Sequence, residues 1–430
     1  MSNQAPLANN HAHEPVPESE RVSGLRIGTI IIGIAITLPA FMVGSSIISS
    51  LGLMEGASAI LIAGIVLTAV ASLTMLVGAH THLSTYEIIH LTFGTKGSKV
   101  VSALLAFTLF GWYGITAILF GQAASETLKS ALSLDVAGVW LMLGGSILMI
   151  GTTIYGFRAI DKLSRLVVPL LGLTLLTAVW MVAKETSLTL LLEVPGTAEG
   201  ITGIGAGASL IIGSFMVGVT ILPDMSRFAR TPSDAVKGAV ISYGSGSQAV
   251  LLFAGIPVLI TGENDLIVNM TAIGLGLPAL AVMLFATWTT NVNNLYSSTL
   301  SVSQLLVKWP DWLATVLAGV LGSVLAIVVG IEHFVSFLVF LSIAIPPIAG
   351  IYVTDFFLIR KLKISPKDIS CAPTFGSHAF TAWVCALLAG VWETQSGYNI
   401  TGVTALDMVL ISGVVFYCLF FFGQKAEQDG

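Results

Sequence analysis

The chain has 430 residues, of which 55% are hydrophobic and only 10% are charged, and its formal net charge is −5. Soluble domains carry about a quarter charged residues, so this composition excludes a protein that faces water on all sides. Apolar runs of about 20 residues recur along the chain, and this is the length that crosses the hydrocarbon of a bilayer as an α-helix. The sequence therefore predicts an all-α, polytopic membrane protein.

The polar start of the chain, residues 1–26, is rich in Pro, Glu and His and lacks the basic-then-apolar order of a cleaved signal peptide. We expect it to form a tail on the cytosolic side. Beyond it, windows of about 19 residues predict about 12 transmembrane helices, joined by segments too short to hold a soluble domain. The predicted spans are 27–50, 57–79, 100–126, 136–156, 160–183, 203–224, 235–261, 273–303, 312–331, 333–358, 378–394 and 405–423.

The basic residues indicate how these spans are oriented. If the N-terminus lies inside, all of the 18 Lys and Arg residues except Lys129 and Lys184 fall on the inner side. The positive-inside rule expects this asymmetry, and one miscounted span would abolish it downstream. The sequence therefore predicts a multi-pass protein of the cell membrane with both termini in the cytoplasm.

A short repeat marks the first and sixth predicted spans. The letters FMVG occur at residues 41–44 and again at 215–218, near the helix-breaking residues Pro39 and Pro223. Interrupted helices at corresponding positions of two halves indicate the binding site of a transporter, because their freed backbone groups must meet an ion, a substrate or water. The alternative is that the Gly and Ser residues beside both copies only allow close packing of helices.

The eighth predicted span holds the most polar intramembrane stretch, residues 287–299, with the sequence TWTTNVNNLYSST. Such side chains are costly in lipid and must face a partner, a cavity or water. Thr289 and Thr290 offer the neutral oxygens that Na⁺ accepts, and Asn291 offers a donor and an acceptor suited to the edge of a heterocyclic amide. A hydrogen-bonded seam between helices is the alternative. Because no Asp, Glu, Lys or His lies at mid-depth in a predicted span, we expect a coupling cation held by neutral oxygens rather than a carboxylate relay.

Two aromatic residues are candidates for holding a planar substrate. Trp112 in the third span and Phe215 in the sixth offer faces on which such a ring stacks, although packing is the commoner role of each residue taken singly. The sequence shows no phosphate loop, nucleophile elbow or zinc-binding motif. We therefore expect no enzymatic activity, no cofactor, no nucleic acid and no obligate protein partner.

These residues lie in ordered motifs that resemble the nucleobase:cation symporter-1 family, most closely its cytosine permease and purine–cytosine permease branch. The resemblance covers roughly residues 15–425, and its specificity comes from the order and spacing of several motifs together. The motifs are FGTKGS at 93–98, GWYG at 111–114, GSF at 213–215 with Asp224 and RF at 227–228, WTTN at 288–291 with Asn293 and LY at 295–296, and AIPP at 344–347 with Gly350 and Asp355.

The resemblance implies a fold and a function. The fold is the leucine-transporter type, with two inverted five-helix repeats at residues 27–183 and 203–360, followed by two additional helices at 378–423. The function is secondary active transport that imports a nucleobase or a similar planar heterocycle (cytosine, a purine or a related ring) by cation symport. The expected coupling ion is Na⁺.

The resemblance also assigns residues to the substrate site. Trp112 and Phe215 correspond to the aromatic residues that sandwich the base, and Asn291 corresponds to the residue that hydrogen-bonds it. Ser214 lies beside the sixth-span interruption and is a further candidate.

Two positions depart from the cytosine permease pattern. Leu109 stands where those permeases have a glutamine that reads the base, and Val217 stands where they have a serine. Losing a polar partner in a buried site alters recognition strongly. A purine, another pyrimidine or a vitamin-precursor ring therefore stays open beside cytosine as the substrate.

For the cation site, the resemblance implies ligands from two spans. Thr289 and Thr290 would supply their hydroxyls, and Ala286 would supply its backbone carbonyl one turn earlier. First-span carbonyls near Thr37 and Ala40 would complete the set.

Three alternatives stay open at this point. The same fold can be coupled to protons instead of Na⁺. The solute can be another small molecule, such as an amino acid or a thiamine-precursor pyrimidine. From a different class, a channel or a membrane-embedded receptor would show no gradient-driven accumulation.

Overall fold

The computed structural model describes residues 16–197, 200–262, 276–305, 309–364 and 372–429. Within these ranges it describes only the backbone of residues 155–166, 188, 278, 300, 303–305, 311 and 424–429. In the described part of the chain the secondary structure is helical, with two isolated β-bridges and no strand. The expected all-α class is therefore confirmed.

The helices are numbered here in chain order, with π-helical turns at Val240–Gly246 and Asp355–Ile359 and 3₁₀ turns at Glu18–Glu20 and Ile331–His333. They are α1 Gly24–Ala35, α2 Leu38–Thr81, α3 Thr85–Leu132, α4 Gly138–Glu185, α5 Leu188–Glu193, α6 Ile204–Thr220, α7 Pro223–Ser226, α8 Pro232–Ala239, α9 Ser247–Gly255, α10 Val258–Thr261, α11 Gly276–Leu305, α12 Asp311–Val329, α13 Phe334–Ala344, α14 Pro346–Thr354, α15 Ser377–Ser396 and α16 Thr404–Asp429.

Seven helical segments of the described residues are long and apolar enough to cross a bilayer. Three shorter apolar helices accompany them: Gly24–Ala35, Gly138–Ile154 and Ile204–Thr220. The fourth and fifth predicted spans, 136–156 and 160–183, both lie in the single helix α4. The expected connection between them, residues 157–159, falls within residues 155–166, of which the structure describes only the backbone.

The expected N-terminal tail, residues 1–26, is docked where the structure describes it. Residues 1–15 lie outside the described part. The amide of Val22 donates to the carbonyl of Phe228 at 2.7 Å, and the amide of Arg230 donates back to Val22 at 3.1 Å. Helix α1 then begins at Gly24, so the last residues assigned to the tail already belong to the first helix.

Both predicted helix interruptions are present. Residues Ile36 and Thr37 separate α1 from α2, and residues Ile221 and Leu222 separate α6 from α7. Proline lacks an amide hydrogen and therefore fits the first turn of a helix, which is where α2 and α7 each carry one. The hydroxyl of Thr37 accepts the amide of Ala40 at 3.4 Å and so caps the start of α2.

The small residues beside the repeated FMVG letters do not form the interruptions. They lie inside continuous helices and allow helices to touch. A Cβ atom added at Gly44 would lie 2.2 Å from the carbonyl oxygen of Leu251, and one added at Gly213 would lie 2.6 Å from the amide nitrogen of Ser342. Close packing, one of the two interpretations of these residues, therefore holds for both glycines.

Single glycines bend two of the three longest helices. Gly52 in α2 and Gly94 in α3 have φ values of +74° and +80°, which side-chain-bearing residues rarely adopt. Beyond the first bend, Gly56 lies against Ile47 and Ile48, so the two legs of α2 pack side by side.

Most of the helices before α13 pack in two sets. In the first set, α2 packs against α6, α8 and α9, and α1 packs against α8. In the second set, α11 packs against α3 and α4, and α12 packs against α3. The second set has an apolar cluster of its own, whose buried members come only from α3, α4, α11 and α12. Contacts between the sets are much sparser than contacts within them.

Candidate functional site

The residues expected to bind a cation lie on two helices that touch each other, α2 and α11. The hydroxyl of Thr289, 3% exposed, donates to the carbonyl of Ala286 at 3.0 Å. The neighbouring hydroxyl of Thr290 is half-buried and has no hydrogen-bond partner among the described residues. Thr37 lies in the interruption and caps α2, and Ala40 lies in the first turn of that helix. The structure brings these two helices together, and among the described residues no hydrogen bond joins Thr37 or Ala40 to Ala286, Thr289 or Thr290.

Asn291 is fully buried and faces α4. Its Nδ2 atom lies 3.4 Å from the sulfur of Met149. Its Oδ1 atom has no hydrogen-bond partner among the described residues. An unpaired buried amide oxygen costs about 1–3 kcal/mol, so this atom is available to a donor that the protein itself does not supply.

The two aromatic candidates lie on different sets of helices. Trp112 in α3 packs edge-on against Phe337 and Phe334 of α13, with ring centroids 5.4 and 6.4 Å apart. Phe215 in α6 packs edge-on against Tyr243, with centroids 6.0 Å apart. The structure does not bring the two candidate rings into contact with each other; it leaves them half-buried on α3 and α6, which are neighbours.

The remaining substrate candidates offer little polarity. The hydroxyl of Ser214 donates to the carbonyl of Ile211 in its own helix at 2.7 Å. Leu109 is half-buried three residues before Trp112 on α3, and Val217 is buried. Neither position carries a side chain that can read a base by hydrogen bonding.

The carbonyls freed at the second interruption meet side chains that the sequence analysis did not single out. Tyr352 donates its hydroxyl to the carbonyl of Thr220, the last residue of α6, at 3.0 Å. The hydroxyl of Thr85 donates to the carbonyl of Ile221 at 3.2 Å. These contacts join residues more than 130 positions apart in the sequence, so no local sequence pattern predicts them.

A hydrogen-bonded layer closes the end of the molecule that holds these contacts. The carboxylate of Asp224 accepts the amide of Thr85 at 2.8 Å, and the Nδ1 atom of His82 lies 2.7 Å from the carbonyl oxygen of Arg227. Burial lowers the pKa of the His82 imidazole, and the bond to Arg227 opposes this only in part. His82 is therefore neutral near pH 7 and donates through Nδ1.

Asp355 and Arg360 form a second part of that layer. The Asp355 carboxylate accepts the Nε–H of Arg360 at 2.9 Å and the hydroxyl of Thr92 at 2.7 Å. Arg360 also donates to the carbonyl of Leu91 at 3.2 Å. Residues 85–93, the first leg of α3, are thus held at both ends.

A cavity of about 430 Å³ lies at the other end of the molecule. It is lined by the bend at Gly52 and by the segment between α5 and α6, with Glu55 and Glu193 at its wall. None of the predicted substrate or cation residues lines it.

Known proteins resemble the whole chain. Cytosine permease of Escherichia coli (strain K12) is 29% identical over 402 residues, covering 94% of this chain and 92% of that protein. Purine-uracil permease of Arabidopsis thaliana is 24% identical, covering 96% of this chain and 76% of that protein. Allantoin permease of Bacillus subtilis (strain 168) is 22% identical, covering 85% and 82%.

Solved structures resemble the fold. A nucleobase-cation-symport-1 family transporter, closed with bromovinylhydantoin bound, superposes with a TM-score of 0.80 at 17% identity, covering 98% of this chain and 96% of that one. A Na⁺-coupled sialic acid symporter in a substrate-bound, outward-open state gives 0.66 at 13% identity, covering 96% and 91%. The leucine-transporter-type fold expected from the sequence is confirmed.

The matched family extends over nearly all of the chain. Its model, described as permease for cytosine/purines, uracil, thiamine and allantoin, matches residues 15–416. The relatives are permeases and not enzymes. The chain therefore belongs to this family of membrane permeases.

Proposed function

We propose that the protein imports a nucleobase-like planar heterocycle across the cell membrane by symport with Na⁺. The observation that carries this proposal is the pair of helix interruptions, at 36–37 and 221–222, together with a helix rich in neutral oxygens that touches α2. The family membership supports the substrate class, and the hydroxyls of Thr289 and Thr290 support the choice of ion.

The two sets of helices suggest how the site opens. Sparse contacts between the sets would allow one to rock against the other. Trp112 lies on α3 of one set and Phe215 on α6 of the other, and both pack against the larger apolar cluster. A cation held between the start of α2 and the hydroxyls of α11 would fix the two sets in the arrangement that receives substrate. A ligand moves such an equilibrium only through its different affinity for the two states.

The apolar residues at positions 109 and 217 affect which substrate the site can recognise. Leu109 and Val217 leave the amide of Asn291 as the principal hydrogen-bonding group among the predicted substrate residues. We propose a ring recognised mainly by stacking and by one donor–acceptor edge. Purines, uracil and allantoin, which relatives carry by name, are tested beside cytosine.

The experiment is uptake by proteoliposomes at fixed pH. Radiolabelled cytosine, uracil, hypoxanthine and allantoin are offered under an inward Na⁺ gradient, and choline replaces Na⁺ in the control. We expect saturable accumulation of at least one ring that collapses in choline. Accumulation that survives in choline and requires a proton gradient would instead establish proton coupling.

Two variants separate ion binding from substrate binding. Thr290→Ala removes an unpaired hydroxyl and is expected to reduce the sodium dependence of substrate binding, whereas Trp112→Ala weakens substrate binding at every Na⁺ concentration. Thr174→Ala, at a half-buried threonine of α4 whose hydroxyl donates to the carbonyl of Leu170 in its own helix, serves as the matched control. Equal loss of sodium dependence in the Thr290 and Trp112 variants would contradict the assignment of the ion site.

Competition separates the remaining alternatives. Free nucleobases that fail to compete, together with amino acids that do, would identify an amino acid carrier. Flux that equilibrates without accumulating would identify a channel.

We also propose that both termini are cytoplasmic and that residues 27–183 and 203–360 are inverted repeats. The charge asymmetry supports the first point, and the matching interruptions support the second. In a variant whose three cysteines are replaced by alanine, Lys96→Cys should resist an impermeant maleimide in intact cells and Lys184→Cys should react. The opposite pattern would reverse the topology.

A further inference from the structure

Two acidic side chains meet where α15 ends and α16 begins. Glu393 is 4% exposed and Asp407 is fully buried. Helices α15 and α16 pack closely here, because a Cβ atom added at Gly390 would lie 2.7 Å from the Sδ atom of Met408. The two carboxyl groups face each other across this contact, and the hydroxyl of Thr404 donates to Glu393. Neither forms an ion pair with a basic group in the part of the chain that the structure describes.

The two carboxyl groups differ in what surrounds them. Both oxygens of Asp407 accept backbone amides, from Ile400 at 2.8 Å and from Thr401 at 3.1 and 3.3 Å. Asp407 also lies in the first turn of α16, where the helix dipole favours an anion. Amide donors stabilise the charged form of a carboxylate. By contrast, the Oε2 atom of Glu393 has no partner among the described residues.

Two buried carboxylates in contact cannot both be ionised without a large repulsion. Since Asp407 has the donors that an anion needs, the proton belongs on Glu393. We infer that Glu393 and Asp407 together bind one proton, and that this proton holds the segment 397–403 and the start of α16 against α6.

The contact with α6 is direct. The amide of Ala405 donates to the hydroxyl of Ser209 at 2.9 Å. The backbones of Gly402 and Gly205 also touch, because a Cβ atom added at Gly205 would lie 1.8 Å from the carbonyl oxygen of Gly402. Helix α6 carries Phe215 and ends at the second interruption. Loss of the proton would therefore weaken the packing of this segment against α6, the helix that leads to the proposed substrate site.

Other titratable groups do not account for such a proton. Among the other described titratable side chains of α15 and α16, Cys385, Cys418 and Tyr417 are exposed, and His378 packs on Phe420 toward the opposite end of both helices. From the connecting segment, Tyr398 is 65% exposed and packs on Trp392. Helices α6 and α13 contain no titratable residue, and the tyrosine of α14 bonds to the far end of α6.

The test uses the purified full-length protein and needs no transport measurement, so its failure is distinct from failure of the proposed function. Thermal unfolding is followed from pH 5 to pH 9 for the wild type, Glu393→Gln and Glu332→Gln. The glutamine at 393 keeps a donor toward Asp407 and has no proton to lose. The exposed Glu332 provides a matched control.

The direction of the pH dependence follows from the number of protons that the folded and unfolded states bind. An unfolded glutamate releases its proton near about pH 4.3, so above that pH the folded protein holds one more proton than the unfolded chain. The wild type should therefore lose melting temperature as pH rises, relative to Glu393→Gln, and Glu332→Gln should follow the wild type.

Hydrogen exchange supplies a second readout. After correction for intrinsic rates, the protection of the amides of Ile400 and Thr401 should fall up to about tenfold per pH unit in the wild type, as expected for loss of one proton. The same amides should stay protected in Glu393→Gln. Parallel profiles of wild type and Glu393→Gln in both measurements would overturn the inference. A difference that depends on Na⁺ rather than pH would also overturn it, because the pair would then bind a metal ion.

Discussion

The carboxylate of Asp224 accepts a hydrogen bond from the backbone amide of Thr85 at 2.8 Å. Asp224 lies in the short helix α7 that follows the second interruption, and Thr85 is the first residue of α3. The hydroxyl of Thr85 returns a bond to Ile221 at 3.2 Å. Two hydrogen bonds therefore connect the second interruption to the beginning of α3, a helix of the other set.

Removing the acceptor at position 224 should weaken this tie. We expect Asp224→Ala to lower the free energy of unfolding by about 1–2 kcal/mol, because the amide of Thr85 loses its capping partner. Asp224→Asn keeps a side-chain carbonyl and should recover most of the loss. Thermal unfolding of the purified variants measures both. If asparagine is as damaging as alanine, the charge rather than the acceptor matters.

The Asp355–Arg360 pair allows a double-mutant cycle. Asp355 is 5% exposed, so Arg360→Gln leaves a buried carboxylate with Thr92 as its remaining donor. We expect a loss of about 2 kcal/mol of unfolding free energy. Adding Asp355→Asn removes the stranded charge and should restore part of the stability. Strictly additive losses would show that the two side chains do not interact.

His82 should make stability depend on pH. Burial lowers the pKa of its imidazole in the folded protein, so the unfolded chain binds more protons below about pH 6.5. This stability is present above about pH 6.5 and is lost as pH falls below it. We expect the melting temperature of the wild type to drop more steeply between pH 7 and pH 5 than that of His82→Asn.

Asparagine is the suitable replacement at this position. His82 has a φ of +53°, a left-handed conformation that asparagine adopts more readily than most residues. Its amide can also donate to the carbonyl of Arg227. His82→Ala, which loses both features, should be less stable at every pH.

The bend at Gly94 should not tolerate a side chain. A Cβ atom there would lie 2.5 Å from the carbonyl oxygen of Pro373, and the φ of +80° is strained for alanine. We expect Gly94→Ala to cost at least about 1–3 kcal/mol in thermal unfolding. Gly144→Ala is the control, because nothing lies within 4 Å of that Cβ position in the helix α4. The control should be neutral or slightly stabilising.

The sequence predicted features that depend on local chemistry. Pro39 and Pro223 mark the two interruptions because proline cannot donate an amide hydrogen, and this holds in any surroundings. The apolar runs and the polar stretch at 287–299 identify membrane helices and a buried polar surface in the same way. The cation residues and substrate residues named from the sequence remain predictions.

Other features depend on what faces a residue across the fold. The sequence alone does not tell whether Gly44 and Gly213 break a helix or allow another helix to pack closely. The answer depends on the residues that they contact, Leu251 and Ser342. It likewise gives no sign that Tyr352 would satisfy the carbonyl of Thr220. Such long-range partners follow from tertiary packing, which no local pattern encodes.

The apolar cluster that belongs only to α3, α4, α11 and α12 has an evolutionary consequence. The two clusters have no buried residue in common, although α3, α4 and α11 contribute to both, so the stability losses of well-separated substitutions in the two should sum. Each half of the molecule can therefore accumulate neutral changes at its own pace. Adaptation to a new solute is different, because the proposed site takes Trp112 from one set of helices and Phe215 from the other.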